Sequence, residues 1–386
     1  MDSPRPIPTV RRAGLLKILC VALLLAPLFL PHGLAVLGIS EGPAARENRR
    51  KTPLPPISLA ATDFKAFAAQ LTKAYPDTFP FRDWMIRSGN ILSIALFRES
   101  PSKDVILGQD GWLFYNMEMD LEDWLGVDLY SPEELAQAKR VLSARRDWLA
   151  KHGIAFLVVI APNKSTLYGR FLPGSFHRLE AASRLDQLAK AMREADIPFL
   201  DLRPALTRAS QEHRTYQKTD SHWDGWGAFA GAQAIVQALR GRFPAMAPLD
   251  PANYQLALET RPGGDLAGML LLSDAIPERF ITMEPLAPNR AKPALPRGYA
   301  NPATLSGRDL VIRETGDATL PNAVIFRDSF STLLWPFLAE RFNRSVFIWE
   351  HRFQPDIVLA EKPDVVIYEA VERYQYALFG FSEELP

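Results

Sequence analysis

Cysteine is almost absent: Cys20 is the only one in a chain of 386 residues. A single thiol can form neither an intramolecular disulfide nor a thiolate zinc cluster, so the fold has to stand without covalent staples in whatever compartment it occupies. Net charge is absent too. Lysine plus arginine equals aspartate plus glutamate, at 44 each, and no global field recommends nucleic acid as a partner. Histidine is scarce, with six residues to supply any imidazole chemistry. No internal repeat is visible. What remains is an ordinary globular composition, 47% apolar and 23% charged, long enough for one large α/β domain or two smaller ones.

One long uncharged run is present. Arg5, Arg11, Arg12 and Lys17 precede "ILCVALLLAPLFLPHGLAVLGI", residues 18–39, a length that just spans a hydrocarbon core of about 30 Å as a helix. The basic flank stays on the cytoplasmic side and the remainder is exported. Pro27, Pro31, His32 and Gly33 weaken the second half, which leaves a cleaved signal peptide as the alternative. "GLAVLG" is a poor small-residue cleavage site and favours an uncleaved anchor. The expected layout is a cytoplasmic flank at 1–17, a transmembrane anchor at 18–39, a flexible linker at 40–60 and a folded domain at 61–386. Inner-membrane attachment with the domain in the periplasm follows, or a periplasmic protein if the segment is removed.

The domain opens with two amphipathic stretches, "ATDFKAFAAQLTKAYPD" and "FRDWMIRSGNILSIALF", whose spacing turns Phe64, Phe67 and Leu71, then Trp84, Ile91 and Ile94, inward. "VILGQDGWLFY" reads as a hairpin. From Ser131 helices and buried strands alternate. Ser131, Pro132 and Glu134 form a helix start with a capping box. "IAFLVVIA", "IPFLDL", "NAVIF", "SVFIWE" and "PDVVIYEA" are apolar runs of strand length. Such alternation predicts an α/β three-layer sandwich, a mostly parallel sheet covered by helices on both faces. Eight prolines between 251 and 302 break the rhythm, exclude regular central strands and suggest a long insertion over one end of the domain.

Open α/β sheets place ligands beyond the carboxyl ends of their strands. "NAVIFRDSF" puts Ser329 there, at a turn into a helix whose N–H groups favour an oxyanion. The competing reading is that Asp328 or Ser329 only caps that helix. "TDSHWDGWGAF" supplies what a lone serine lacks: His222 as a base suited to neutral pH, and Asp220 two residues earlier to orient the ring and stabilise its charged form. Asp220, His222 and Asp224 could instead hold a metal, although no second histidine lies nearby. Asp224 also suits a helix cap.

An Asp-x-His pair ahead of a late Asp-Ser-Phe turn resembles the alginate O-acetyltransferase family of AlgJ and AlgX type. "GQDGWLFY", "VVIAPNKSTLYGRFLP", "GGDLAGML" and "KPDVVIYEAVERY" match the family as well, in the same order, across nearly everything after residue 60. The resemblance implies an SGNH-hydrolase-like domain with Ser329 as nucleophile, His222 as base and Asp220 as its orienting carboxylate. It departs at Arg327, where the ordinary serine block has glycine. No room is left after the last strand for the carbohydrate-binding module of the AlgX type, so the membrane-tethered AlgJ type is the closer match. Candidate substrate contacts are Asn163, Lys164, Tyr168, Asp265 and Arg327; Glu372 and Arg373 read as a structural ion pair or an exposed edge.

The implied activity is transfer of acetyl groups to hydroxyls of an exported polysaccharide through an acetyl-serine, with no cofactor and no metal. A membrane-bound O-acyltransferase would supply the acetyl group, and other polysaccharide-biosynthesis proteins would be partners. A carbohydrate esterase using the same triad and a non-catalytic scaffold are the alternatives.

Overall fold

The computed structural model describes residues 9–39, 52–56, 64–180, 182–299, 310–381 and 385. Most of the expected linker at 40–60 lies outside the described residues. The chain divides into two compact units, Met1–Pro101 with Gly268–Leu272, and Ser102–Ala267 with Ser273–Pro386.

The first unit contains the helix Thr9–Val36, within which Leu16–Val36 is long and apolar enough to cross a membrane. Two further helices follow, Phe64–Thr78 and Arg82–Leu92, the second running into a wide turn at Ser93–Phe97. Their apolar faces were expected to turn inward, but only Phe67 and Ile94 are half-buried, while Phe64, Leu71, Trp84 and Ile91 are exposed. Phe64 is 80% exposed and Trp84 60%, while Ala74 and Asp83 are the buried residues of the two helices. Helical periodicity shows that one side is apolar but not what covers it.

In the second unit a hairpin of β1 (Val105–Leu107) and β2 (Leu113–Tyr115) precedes the sheet. β3 (Ala155–Ala161) and β4 (Phe199–Asp201) begin the sheet. β5 (Tyr254–Arg261) and β6 (Glu278–Pro285) form a separate antiparallel ribbon. The sheet is completed by β7 (Lys292–Pro293), β8 (Leu310–Glu314), β9 (Asn322–Arg327), β10 (Arg344–Trp349) and β11 (Val365–Val371). Its order is β4-β3-β11-β9-β10-β8-β7, parallel from β4 to β10 and antiparallel at the β8 and β7 edge.

The continuous apolar runs form central strands because both faces are covered. Phe156, Val158 and Ile160 feed one core with the helices Pro132–Lys151 and Arg184–Glu194. Leu157 and Val159 feed the other with Gly225–Leu239 and Ser331–Ala339. Each such side chain contributes about 1.5–3 kcal/mol on burial. The first of these helices starts as its sequence dictates, Ser131 and Glu134 closing a capping box with Pro132 at its first position. The proline-rich insertion does keep its strands out of the sheet's centre, but it builds a regular eight-residue ribbon, and that ribbon carries residues to the site.

Candidate active site

Three neighbouring strands, β3, β11 and β9, end on the same side, so residues after each converge. β9 ends at Arg327, and Asp328–Ser329 turn the chain into the helix Ser331–Ala339. Buried Asp328 fixes this turn: one carboxylate oxygen accepts Phe330 N–H at 2.8 Å and the other accepts Val371 N–H, from the end of β11, at 2.7 Å. Phe330 N–H is thereby committed to Asp328, which leaves Ser329 N–H and the helix start as the backbone groups available to a developing oxyanion. Arg327 lies 2% exposed beneath the turn, donating to Asp328 C=O at 3.1 Å with its guanidinium 4.6 Å from the Trp349 ring centre. It supports the turn and presents no surface to substrate, contrary to the sequence-based expectation.

The Asp-x-His segment is a tight loop closed by the Tyr216–Trp223 bridge and by Gln217 N–H to His222 C=O at 3.2 Å. Asp224 starts the next helix by accepting Trp226 N–H and Gly227 N–H, each at 3.1 Å. Across 107 residues of sequence, His222 Nε2 meets Ser329 Oγ at 2.8 Å, and its Nδ1 meets Asp220 Oδ1 at 2.8 Å. The Phe330 ring lies 4.8 Å from the imidazole, and Trp223, fully buried, donates to Phe330 C=O. Trp223 and Trp226 belong to the core.

A second carboxylate faces the same imidazole. Asp265 Oδ2 lies 3.5 Å from His222 Nδ1, and Ser221 bridges them, its Oγ 2.5 Å from Asp265 Oδ2 and 3.2 Å from Nδ1. Asp265 N–H donates to Asp220 Oδ2 at 2.9 Å. Burial draws the His222 pKa down, but its hydrogen bonds to Asp220 and Asp265 and their charges outweigh this and raise it to about 9. Asp265 is pushed up by burial, yet its bonds with His222 and Ser221 hold it below the ordinary carboxylate range.

Asp265 reads from sequence as a candidate substrate contact; its bonding beside the base was missed. The preceding glycines were the available signal. A Cβ on Gly264 would overlap the Asp220 side chain, so the chain can pass there only as glycine. Gly264→Ala is expected to shift the Asp220 carboxylate and lower kcat about a hundredfold, since displacements near 1 Å cost that much. Steady-state kinetics beside a melting curve checks this; an unchanged kcat contradicts it.

The other candidate contacts are buried supports. Lys164, 2% exposed, donates its ammonium to the carbonyls of Gln217, Lys218 and Asp220 at 3.3, 3.2 and 2.6 Å. Burial lowers its pKa to about 8. It holds the loop from inside and does not reach for an anionic sugar. Lys164→Met leaves those carbonyls without their donor and is expected to cost about 2–4 kcal/mol of stability, measured as a fall in denaturant midpoint. Tyr168 hydrogen-bonds Thr215 through its hydroxyl, and its ring stacks on Trp112. Fully buried Asn163 donates its N–H to Glu372 and accepts Arg373 N–H. Glu372 and Arg373 are both buried and face different partners, Glu372 toward Thr166 and Arg373 toward Glu118 and Asp120, so they form neither an ion pair with each other nor an exposed edge.

Among the described residues the cluster able to offer metal ligands is Asp220, His222 and Asp265, with Asp224 turned away to its cap. Its carboxylate oxygens already accept His222 N–H, Asp265 N–H, Ser221 N–H and Ser221 O–H. Such a donor set fixes an imidazole in orientation and tautomer.

This geometry has relatives. Chains described as probable alginate O-acetylase AlgJ match from Pseudomonas putida, 25% identical over 320 residues covering 78% of this chain and 77% of that one. The Pseudomonas aeruginosa protein of the same description is 27% identical over 282 residues, covering 70% and 67%. The structure of Bacillus cereus PatB1 superposes with a TM-score of 0.54 at 18% identity, covering 71% of this chain and 97% of that one, a likeness of fold. A family model described as SGNH hydrolase-like domain, acetyltransferase AlgX, matches residues 105–301, which hold Asp220, His222 and Asp265 but stop short of Ser329. The chain therefore belongs to the AlgX-type acetyltransferases with an SGNH-hydrolase-like domain.

Proposed function

We propose that this acetyltransferase works through an acetyl-serine at Ser329 and passes the acetyl group to a hydroxyl of an exported polysaccharide. The observation that carries the reading is the continuous chain of contacts Ser329 Oγ–His222 Nε2 and His222 Nδ1–Asp220, each 2.8 Å. Ser329 Oγ attacks the acetyl carbonyl of the donor while His222 Nε2 takes its proton. Asp220 stabilises the imidazolium, which then protonates the departing donor group. A sugar hydroxyl next gives its proton to neutral His222 and attacks the acyl carbon, and Ser329 recovers the proton as it leaves. Atoms and charge balance in both halves.

The relatives' descriptions name alginate, and an alginate-like polymer is the acceptor class this reading adopts. The apolar helix Leu16–Val36 is consistent with a single-pass tether that holds the domain on the export side of the inner membrane. The donor would then arrive through a membrane-bound O-acyltransferase, in company with other polysaccharide-biosynthesis proteins.

The test is to incubate the protein with an activated acetyl ester, with and without oligosaccharide, and to follow protein mass, acetate and acetylated sugar. An acetyl adduct on Ser329 that is discharged to sugar faster than to water is expected. An adduct discharged only to water would make the protein an esterase, and its absence would remove the mechanism.

A further inference from the structure

The helix Leu16–Val36 shares an apolar cavity of about 860 Å³ with the helix Arg82–Leu92. Leu23, Leu30 and Leu34 line one wall; Phe81, Trp84 and Leu92 line the other. At 1.5 Å per residue, Leu23 lies about 20 Å along the helix axis from Val36. If Leu16–Val36 spans a membrane, the second helix runs beside a part of it that lies within hydrocarbon. A helix can do so because its backbone polar groups are satisfied internally.

The exposed surface of the same segment agrees. Trp84 is 60% exposed, Leu92 56%, Leu96 68% and Phe97 69%. Large apolar side chains left exposed on one short segment mark a surface made to be covered. The preceding helix reaches the span through Tyr75, whose hydroxyl lies 3.1 Å from His32 Nε2. Tyrosine and tryptophan favour the headgroup level, and Lys73 on the preceding helix and Arg98 just after the turn are long enough to snorkel toward it.

We infer that Arg82–Leu92 and the turn Ser93–Phe97 dock into the membrane beside the span, with lipid acyl chains filling the cavity and covering Trp84, Leu92 and Phe97. This rests on the tether reading above. The occupant is lipid because the cavity's other wall is the membrane span itself.

The test uses the full chain in vesicles of phosphatidylethanolamine and phosphatidylglycerol with no other protein. Cys20, the single native cysteine, lies in the span and carries a fluorescent label as reference. Trp84→Cys and Phe97→Cys, each on a Cys20→Ser background, carry the same label. Lipids brominated along the acyl chain are expected to quench all three labels about twofold, as for helices seated at the acyl boundary, and aqueous iodide to leave them bright. Quenching of Cys20 with iodide access at either Trp84 or Phe97 overturns the docking and leaves the tether standing. An unquenched Cys20 label removes both. Protection of Trp84 and Phe97 that appears only in native membranes assigns the face to a protein partner and overturns the inference.

Discussion

Ser329→Ala is expected to lower kcat for acetyl transfer by about 10⁴- to 10⁶-fold, the range seen when a member of a serine–histidine pair is removed. Its Oγ is the atom poised on His222 Nε2, and among the described residues no other hydroxyl bonds that nitrogen. Ser221 Oγ is nearby but lies against Nδ1 and Asp265, on the far edge of the ring. The fold should survive the change. The turn is held by Asp328, through Phe330 N–H and Val371 N–H, and Ser329 itself is only half-buried. Melting temperature should therefore stay near wild type while the acetyl adduct disappears from the intact-mass spectrum. His222→Ala should reach a similar floor, and the double variant should be no worse than either single one, because the two act as a unit. Activity within tenfold of wild type in Ser329→Ala would assign the nucleophile elsewhere.

The pair Asp220–His222 and the turn at Ser329 were legible because local chemistry announces them: a carboxylate two residues from an imidazole, and a serine where an apolar strand meets a helix. The central strands were legible for a similar reason, since "FLVVIA" or "AVIF" has no polar face to give to water. Burial was not legible. Lys164 follows a strand at the active edge, as a substrate contact would, yet its ammonium is spent on three carbonyls of the Asp-x-His loop. Asp265 reaches His222 from a segment between two ribbon strands, and only tertiary folding brings the two together. The ribbon itself was missed because β5 is largely exposed and carries charge, so its pairing with β6 rather than an apolar pattern defines it. β8 escaped for a related reason: it is a short antiparallel strand beside the sheet edge, with no buried run to mark it.

The two carboxylates around His222 should separate into two functions. Asp220 bonds Nδ1 at 2.8 Å and also accepts His222 N–H, so it fixes the ring and its tautomer. Asp220→Asn is expected to cost about 10⁴-fold in kcat, as when a triad aspartate becomes an amide that favours the wrong tautomer. Asp265 stands farther away, 3.5 Å from Nδ1, and is shared with Ser221. Its contribution is to basicity. The base must be neutral to accept a proton, and His222 is raised to about 9. Wild-type kcat/KM should then climb about tenfold per pH unit between about pH 6 and 8. Removing the Asp265 charge destabilises the imidazolium, lowers the pKa and moves the acid limb of the profile down by about one unit. Asp265→Asn should consequently match or exceed wild type near pH 6 while falling severalfold behind at the alkaline plateau, where a weaker base is already neutral in both. A pH–rate profile of the two variants distinguishes these roles. An unmoved acid limb in Asp265→Asn would make Asp265 a structural clamp, and a flat wild-type profile across this range would remove His222 as the base.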